Sequence, residues 1–285
     1  MRKAVWLAMT LASASCATVP EQSDVVAARK AWHAERIDKL REEDGWLTLV
    51  GLDFIEDGAV TLGSAESATY SYPNCADALV GTLRVDGDEV WFRYEGLETE
   101  ERLAADDMGA PSVIRSGSVS FTLVRRNARL ALRVRDNESP VRTRFLGLQL
   151  FPYDPDLVVR AEVVQAEPGA RLAITNVTGF LEEQALAAEL EFELDGTRVR
   201  FAATAGSDGR LFVVFGDATN GSETYAAGRF LDLPAPVDGV TTLDFNRATN
   251  PPCSFTAFAT CPLPPPQNRL RIPIRAGELA PTTRH

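Results

Sequence analysis

The chain has 285 residues, 45% of them hydrophobic, and a formal net charge of −11 at pH 7. A chain this acidic repels phosphate backbones and anionic membrane surfaces, which argues against nucleic acid as a partner. Its length is enough for one large β domain or two small ones with a sizeable core.

The first fifteen residues have the pattern of a signal peptide. Arg2 and Lys3 precede an apolar run over residues 4–14 that is too short for a permanent membrane-spanning helix. Cys16 follows directly, which predicts lipidation of that cysteine after cleavage at residue 15. Cleavage after residues 12–14, an Ala-x-Ala site, is the alternative. We therefore expect an exported protein of the periplasm or cell envelope, attached to a membrane only through an N-terminal lipid.

A short tether over residues 16–23 is followed by the one strong helical pattern, over residues 24–43. Apolar side chains recur there at spacings of three and four, with charged residues between them. Asp24 is the expected N-cap.

After Gly45 the pattern changes to short alternating runs separated by turn residues. Asp86-Gly87 and Asp195-Gly196 are typical of tight hairpins. The candidate strands are residues 46–52, 59–62, 68–72, 79–85, 89–94, 118–126, 129–135, 143–150, 157–165, 170–176, 188–194, 197–204, 210–216 and 241–245. Many short strands at even spacing predict a mainly β fold, an antiparallel barrel or sandwich.

We expect one mainly β domain over residues 24–280, with two β units over about 45–135 and 140–270 as the alternative, and a tail over 281–285. Residues 216–278 differ in composition from the rest, being rich in Pro, Asn, Gly and Thr. Pro251-Pro252 and residues 264–266, all proline, cannot lie inside a sheet. The aromatic residues of the segment predict that it is an ordered loop region, because they give it apolar surface to bury.

This C-terminal segment resembles the uncharacterised family known as domain of unknown function 1684. The motifs that carry the resemblance are Thr224-Tyr225, Gly228-Arg229, Asp244-Phe245-Asn246, Asn250-Pro251-Pro252-Cys253, Cys261-Pro262-Leu263-Pro264, Asn268 and Ala276-Gly277-Glu278. The resemblance extends over about residues 30–280, and it implies kinship without an established reaction. Thr249 stands where members of the family often have Tyr.

Histidine chemistry is poorly supported by the sequence. The chain has two histidines, His33 in the predicted helix and His285 at the end, and neither lies in the motif segment. A Ser-His-Asp or Cys-His nucleophile system needs a histidine beside the nucleophile. We found no phosphate-binding glycine loop ahead of a helix. The sequence therefore predicts neither a metal site nor a cofactor.

The candidate ligand-binding residues are the polar side chains of the motif segment: Asp217, Tyr225, Arg229, Asp244, Asn246, Asn250 and Asn268. Arg229 would hold a small polar or anionic ligand with its two-pronged guanidinium. One alternative is a histidine-independent hydrolase that uses carboxylates such as Asp217 and Asp244. The other is a purely structural role, in which these side chains satisfy the backbone of an irregular loop and the protein serves as a structural or interaction protein.

Three cysteines follow Cys16. Cys253 and Cys261 are close in sequence, and in an oxidising compartment they are expected to form a disulfide. Cys75 remains as a buried small hydrophobe, an alternative disulfide partner or a reactive thiol.

Overall fold

The computed structural model describes residues 22–282. The predicted signal peptide, the predicted lipidation at Cys16, most of the predicted tether and the last three residues of the tail lie outside this range. Within residues 22–282, no helix combines the length and the apolar character needed to cross a bilayer.

Helix α1 spans Gln22–Arg41. Asp24 is therefore in the first turn, so its prediction as the N-cap was wrong, although a carboxylate there still favours the positive end of the helix dipole. The chain divides into two compact units after Arg36. In the second unit, Ile37 and Leu40 of the last helical turn pack against an apolar cluster that includes Phe145.

The first half of the second unit contains nine strands in two sheets. They are β1 Leu49–Phe54, β2 Gly58–Gly63, β3 Tyr70–Ser71, β4 Gly81–Asp86, β5 Glu89–Tyr94, β6 Glu101–Arg102, β7 Val113–Ser116, β8 Val119–Arg126 and β9 Arg129–Asp136. One sheet has the order β1-β9-β8-β7 and the other β3-β2-β4-β5-β6. All neighbours are antiparallel except β2 and β3.

A shared apolar core holds these two sheets together as a sandwich. Phe92 and Leu83 come from the five-stranded sheet, and Phe121 and Leu132 from the four-stranded sheet; all four are completely buried. Successive side chains of a strand point to opposite faces. The alternate residues of β8 and β9 therefore point away from this core, and that outer face carries the cavity described below.

The second half contains a one-turn helix, α2 Pro140–Thr143, and eight strands. The strands are β10 Val158–Gln165, β11 Arg171–Thr175, β12 Leu181–Ala185, β13 Ala188–Leu194, β14 Thr197–Ala205, β15 Leu211–Phe215, β16 Arg229–Leu233 and β17 Val240–Asp244. Six form an antiparallel sheet in the order β16-β15-β14-β13-β10-β17, while β11 and β12 form a separate hairpin. The two end strands, β16 and β17, lie close together, so the sheet nearly closes into a barrel.

Aromatic residues fill the barrel. Phe192 and Phe201 meet edge to face with their ring centroids 5.1 Å apart, and Phe215 and Phe245 complete the cluster. Such edge-to-face pairs are the preferred aromatic geometry in protein cores. The prediction of a mainly β fold with an N-terminal helix and an ordered Pro/Asn-rich C-terminal region is thus confirmed.

The strand predicted over residues 143–150 does not form. The segment is α2 followed by an extended loop, and its only ladder contact within the described chain is an isolated bridge from Leu150 to Glu278. Phe145 and Leu148 are buried against the helix, whereas Leu146 is 92% exposed. Its alternating apolar residues are therefore explained by side-chain packing without strand pairing.

Candidate functional site

The structure buries the most prominent predicted ligand-binding residue, Arg229, in an ion pair. Its side chain and that of Asp217 are both completely buried, with Nη2 2.8 Å from Oδ2. Arg229 also donates to the carbonyls of Ile274 and Ala276. The other Asp217 oxygen accepts from Thr219 and from the backbone N–H of Ile274. This pair therefore ties β16 to the C-terminal segment instead of facing solvent.

The predicted asparagines bond mainly to the backbone. Asn268 accepts from the N–H of Ala202 and donates to the carbonyls of Ala202 and Val214. It thereby fills the gap where β14 and β15 separate, since these strands pair directly at only two positions. Asn246 bonds in the same way to both backbone groups of Asp154.

The remaining predicted residues have similar roles. The backbone N–H of Asn250 donates to the buried carboxylate of Glu278, and its side-chain amide donates to the carbonyl of Leu279. Asp244 accepts from the backbone N–H of Asn246 and lies 3.4 Å from Arg247. Asp217 therefore pairs with Arg229, whereas Asp244 is bonded to Asn246 and lies near Arg247, so the two carboxylates have different partners.

The predicted disulfide between Cys253 and Cys261 is absent, because both residues are free thiols in the structure. They are neighbours: the Cys253 N–H donates to Sγ of Cys261 at 3.1 Å. Hydrogen bonds hold this loop instead, from the Tyr225 hydroxyl to the Cys253 carbonyl and from the Val177 N–H to the Cys261 carbonyl.

Cys75 lies in the core of the sandwich. The pKa of its thiol is raised to about 11, mainly by burial. At neutral pH the group is therefore a thiol with little nucleophilic character, as expected of a buried small hydrophobe.

A different group of polar residues surrounds an open cavity on the outer face of the four-stranded sheet. Two rows of side chains cross β7, β8 and β9 at paired positions: Arg115, Ser120 and Arg135 form the first row, and Val113, Thr122 and Arg133 the second. The cavity has a volume of about 250 Å³. We call it the arginine cavity.

The rest of the cavity wall combines two carboxylates with apolar surface. Asp44 and Asp106 contribute the carboxylates, and Pro111 and Val124 extend the apolar part. Arg133 lies over the ring of Trp46, with its guanidinium carbon 5.8 Å from the ring centroid. This stacking contact holds the guanidinium while leaving its Nη groups available for another partner.

Both carboxylates of the cavity are already engaged by other arginines. Asp44 lies 2.8 Å from Arg115, and Asp106 lies 2.6 Å from Arg126. Within residues 22–282, Arg133 and Arg135 make no hydrogen bond or ion pair, and their Nε atoms are buried. The buried Nε atoms of two half-buried arginines thus have no acceptor, in contrast to the usual rule that buried polar groups are satisfied.

Burial and mutual repulsion make the positions of Arg133 and Arg135 electrostatically unfavourable for their charged forms. Burial lowers the pKa of Arg133 to about 10, and repulsion by Arg126 and Arg135 contributes to the decrease. Burial also lowers the pKa of Arg135, with Asp44 opposing this effect. Arginine keeps its charge at pH 7, so the folded protein holds two positive charges here that Asp44 and Asp106 offset only in part, since each carboxylate is paired with another arginine.

A second depression, of about 320 Å³, lies on the outer face of the barrel. Glutamates and arginines alternate around it, and Glu191 is already paired with Arg200. Its charges are therefore largely compensated. In the described part of the chain no group of three His, Cys, Asp or Glu residues is arranged to hold a metal ion.

The family comparison covers the second half of the chain. Residues 143–279 match the family model described as "Protein of unknown function (DUF1684)". The resemblance to DUF1684 is confirmed. An uncharacterized protein of Haloarcula marismortui, solved by NMR, is 34% identical; the match covers 48% of this chain and 78% of that one, with a TM-score of 0.40. No curated protein matches the chain.

The DUF1684 match and the arginine cavity lie in different parts of the sequence. The motif segment is inside residues 143–279, whereas the cavity residues fall between Asp44 and Arg135. Sequence reasoning missed the cavity, although one signal was present. Arg133 and Arg135 alternate with Leu132 and Val134, which indicates two arginines on the face of a strand opposite the core.

Proposed function

We propose that this protein binds a small anion in the arginine cavity, and that the motif segment of the DUF1684 region serves the fold. One observation carries the proposal: Arg133 and Arg135 are half-buried, lie two residues apart on the same face of β9 and have no acceptor among residues 22–282. An oxyanion would accept charge-assisted hydrogen bonds from both guanidinium groups. It would also remove the cost of confining unpaired charges.

The surroundings of these arginines support the proposal. Thr122 lies between Val113 and Arg133 in the second row and offers a hydroxyl beside them. The volume of about 250 Å³ suits a small molecule and lies below the range usual for drug-sized ligands. Because the chain as a whole is acidic, its long-range field does not attract anions, so binding depends on these local contacts.

We expect Arg133→Gln to raise the Tm of the ligand-free protein slightly and to reduce the stabilisation by anions several-fold. The substitution removes an uncompensated charge and, at the same time, a donor to the ligand. The measurement is thermal unfolding of the purified protein with and without sodium phosphate or sodium succinate, at ionic strength matched with sodium chloride. In the unsubstituted protein these anions should raise Tm by several degrees through preferential binding to the folded state.

Arg102→Gln is the matched control, because Arg102 is exposed, pairs with Glu89 at the surface and carries the same charge. It should leave the response to anions unchanged. A large loss of Tm in Arg133→Gln without ligand, or an undiminished response to anions, would contradict the proposal.

We also propose that the protein is exported and anchored through Cys16, on the basis of the N-terminal sequence pattern. A Cys16→Ser variant expressed in a bacterial host that processes lipoproteins should move from the membrane fraction to the soluble fraction. If the unsubstituted protein is already soluble after export, cleavage at the Ala-x-Ala site is supported instead. Recovery of both forms with the N-terminal segment uncleaved would argue against export.

A further inference from the structure

We propose that the ligand of the arginine cavity is a compact dianion, held by Arg133 and Arg135 together. This inference rests on the proposed anion-binding function and specifies the charge of the ligand. It starts from the position of the two arginines, which are two residues apart on β9 and therefore project from the same face. Their backbone positions are about 7 Å apart, because each residue of a strand advances the chain by roughly 3.4 Å.

Two arginines of the cavity have no ion-pair partner of their own. Asp44 is paired with Arg115 and Asp106 with Arg126, which leaves Arg133 and Arg135 without a paired carboxylate. A monoanion bound to one of the unpaired arginines leaves the other uncompensated, and a buried unpaired charge is costly. A dianion satisfies both at once.

The shape of the cavity limits the size of this dianion. Ser120 already donates to Asp44, so hydroxyl contacts would come chiefly from Thr122. Val113, Pro111 and Val124 form an apolar wall that can accept a short methylene chain. A small dicarboxylate and a phosphate group share the required chemistry, namely two negative charges spread over oxygens that accept two-pronged hydrogen bonds from arginine.

The experiment compares anions that are matched in size and differ in charge. Isothermal titration of the purified protein would use succinate against butyrate as one arm, and inorganic phosphate against acetate as the other, at pH 8 and constant ionic strength. We expect succinate to bind at least tenfold more tightly than butyrate. We expect this ratio to fall to near one in Arg133→Gln and in Arg135→Gln, since each variant retains a single unpaired arginine. Whichever of succinate and phosphate binds more tightly then indicates whether the natural ligand is a dicarboxylate or carries a phosphate group.

The outcomes separate this inference from the proposed function. If butyrate binds within twofold of succinate, and both lose affinity in Arg133→Gln, the cavity binds anions but the preference for a dianion is wrong. If the ratio persists in both variants, the dianion binds elsewhere and the inference fails. If none of the four probes binds, both the inference and the proposed anion-binding function fail. Arg102→Gln should have the same affinity as the unsubstituted protein for each of the four anions.

Discussion

Replacement of Arg229 by Met is expected to lower the free energy of unfolding by about 3–5 kcal/mol, because it leaves the buried carboxylate of Asp217 without its counter-charge. Two backbone carbonyls, those of Ile274 and Ala276, would lose a donor as well. The fall in Tm should be on the order of 10 °C, measured by thermal unfolding of the purified protein.

Two further variants test the cause of this effect. Arg229→Met combined with Asp217→Asn should recover part of the lost stability, since no buried charge remains unpaired. Arg275→Ala is the matched control, because Arg275 pairs with Glu223 in the same segment but is exposed, and it should leave Tm nearly unchanged. A stable Arg229→Met protein would refute the structural role and would favour a ligand at Arg229.

Replacement of Gly228 by Ala should destabilise the protein by about 2–5 kcal/mol, the combined cost of backbone strain and overpacking. Gly228 has a φ of +94°, and a Cβ there would lie 2.6 Å from the carbonyl oxygen of Phe215 and 2.5 Å from Cγ of Pro264. Neither neighbour can move freely, because one is strand backbone and the other is a proline ring. Urea unfolding at equilibrium would measure the loss.

Gly169→Ala isolates the conformational part of this cost. Gly169 has a similar φ of +84°, and nothing lies within 4 Å of the position where its Cβ would be. Its substitution should cost only about 1–2 kcal/mol. Equal losses at the two positions would mean that the close approach of Gly228 to Pro264 contributes nothing.

These variants bear on the meaning of the motif shared with DUF1684. Gly228 permits the close contact with Pro264, Arg229 pairs with Asp217, and Asn268 replaces missing strand hydrogen bonds. Each residue type is explained by a geometric requirement of the barrel and its C-terminal segment. These three contacts support the proposal that the motif serves the fold, and the variants above test it.

Strands β12 and β16 were not predicted from the sequence. Strand β16, Arg229–Leu233, lies in a segment rich in Gly and Pro, and β12, Leu181–Ala185, carries two glutamates. Neither segment has a strong alternating pattern of apolar and polar residues. Each forms a strand because it pairs with a neighbouring strand, and the sequence of the segment alone does not show that pairing. Conversely, apolar and polar residues alternate over residues 143–150, yet this segment forms a loop. Phe145 and Leu148 are buried there without strand partners.

The candidate site illustrates the same limit. Arg229 was predicted as a ligand-binding residue because it lies in a recognisable motif. Arg133 and Arg135 were not predicted, because they lie in an ordinary amphipathic strand. Whether an arginine has a partner depends on side chains distant in the chain, such as Asp44 for Arg115 and Asp217 for Arg229. Local pattern carries no information about that pairing.

The sequence by itself determined the elements that depend on local chemistry. The N-terminal helix, the Asp-Gly hairpins, the alternating strands and the kinship of the C-terminal motifs all follow from residues close together in the chain. Only the tertiary structure decided which polar groups are satisfied. It paired Arg229 with Asp217 inside the barrel and left Arg133 and Arg135 unpaired on the sandwich, because long-range contacts between strands determine which charges meet.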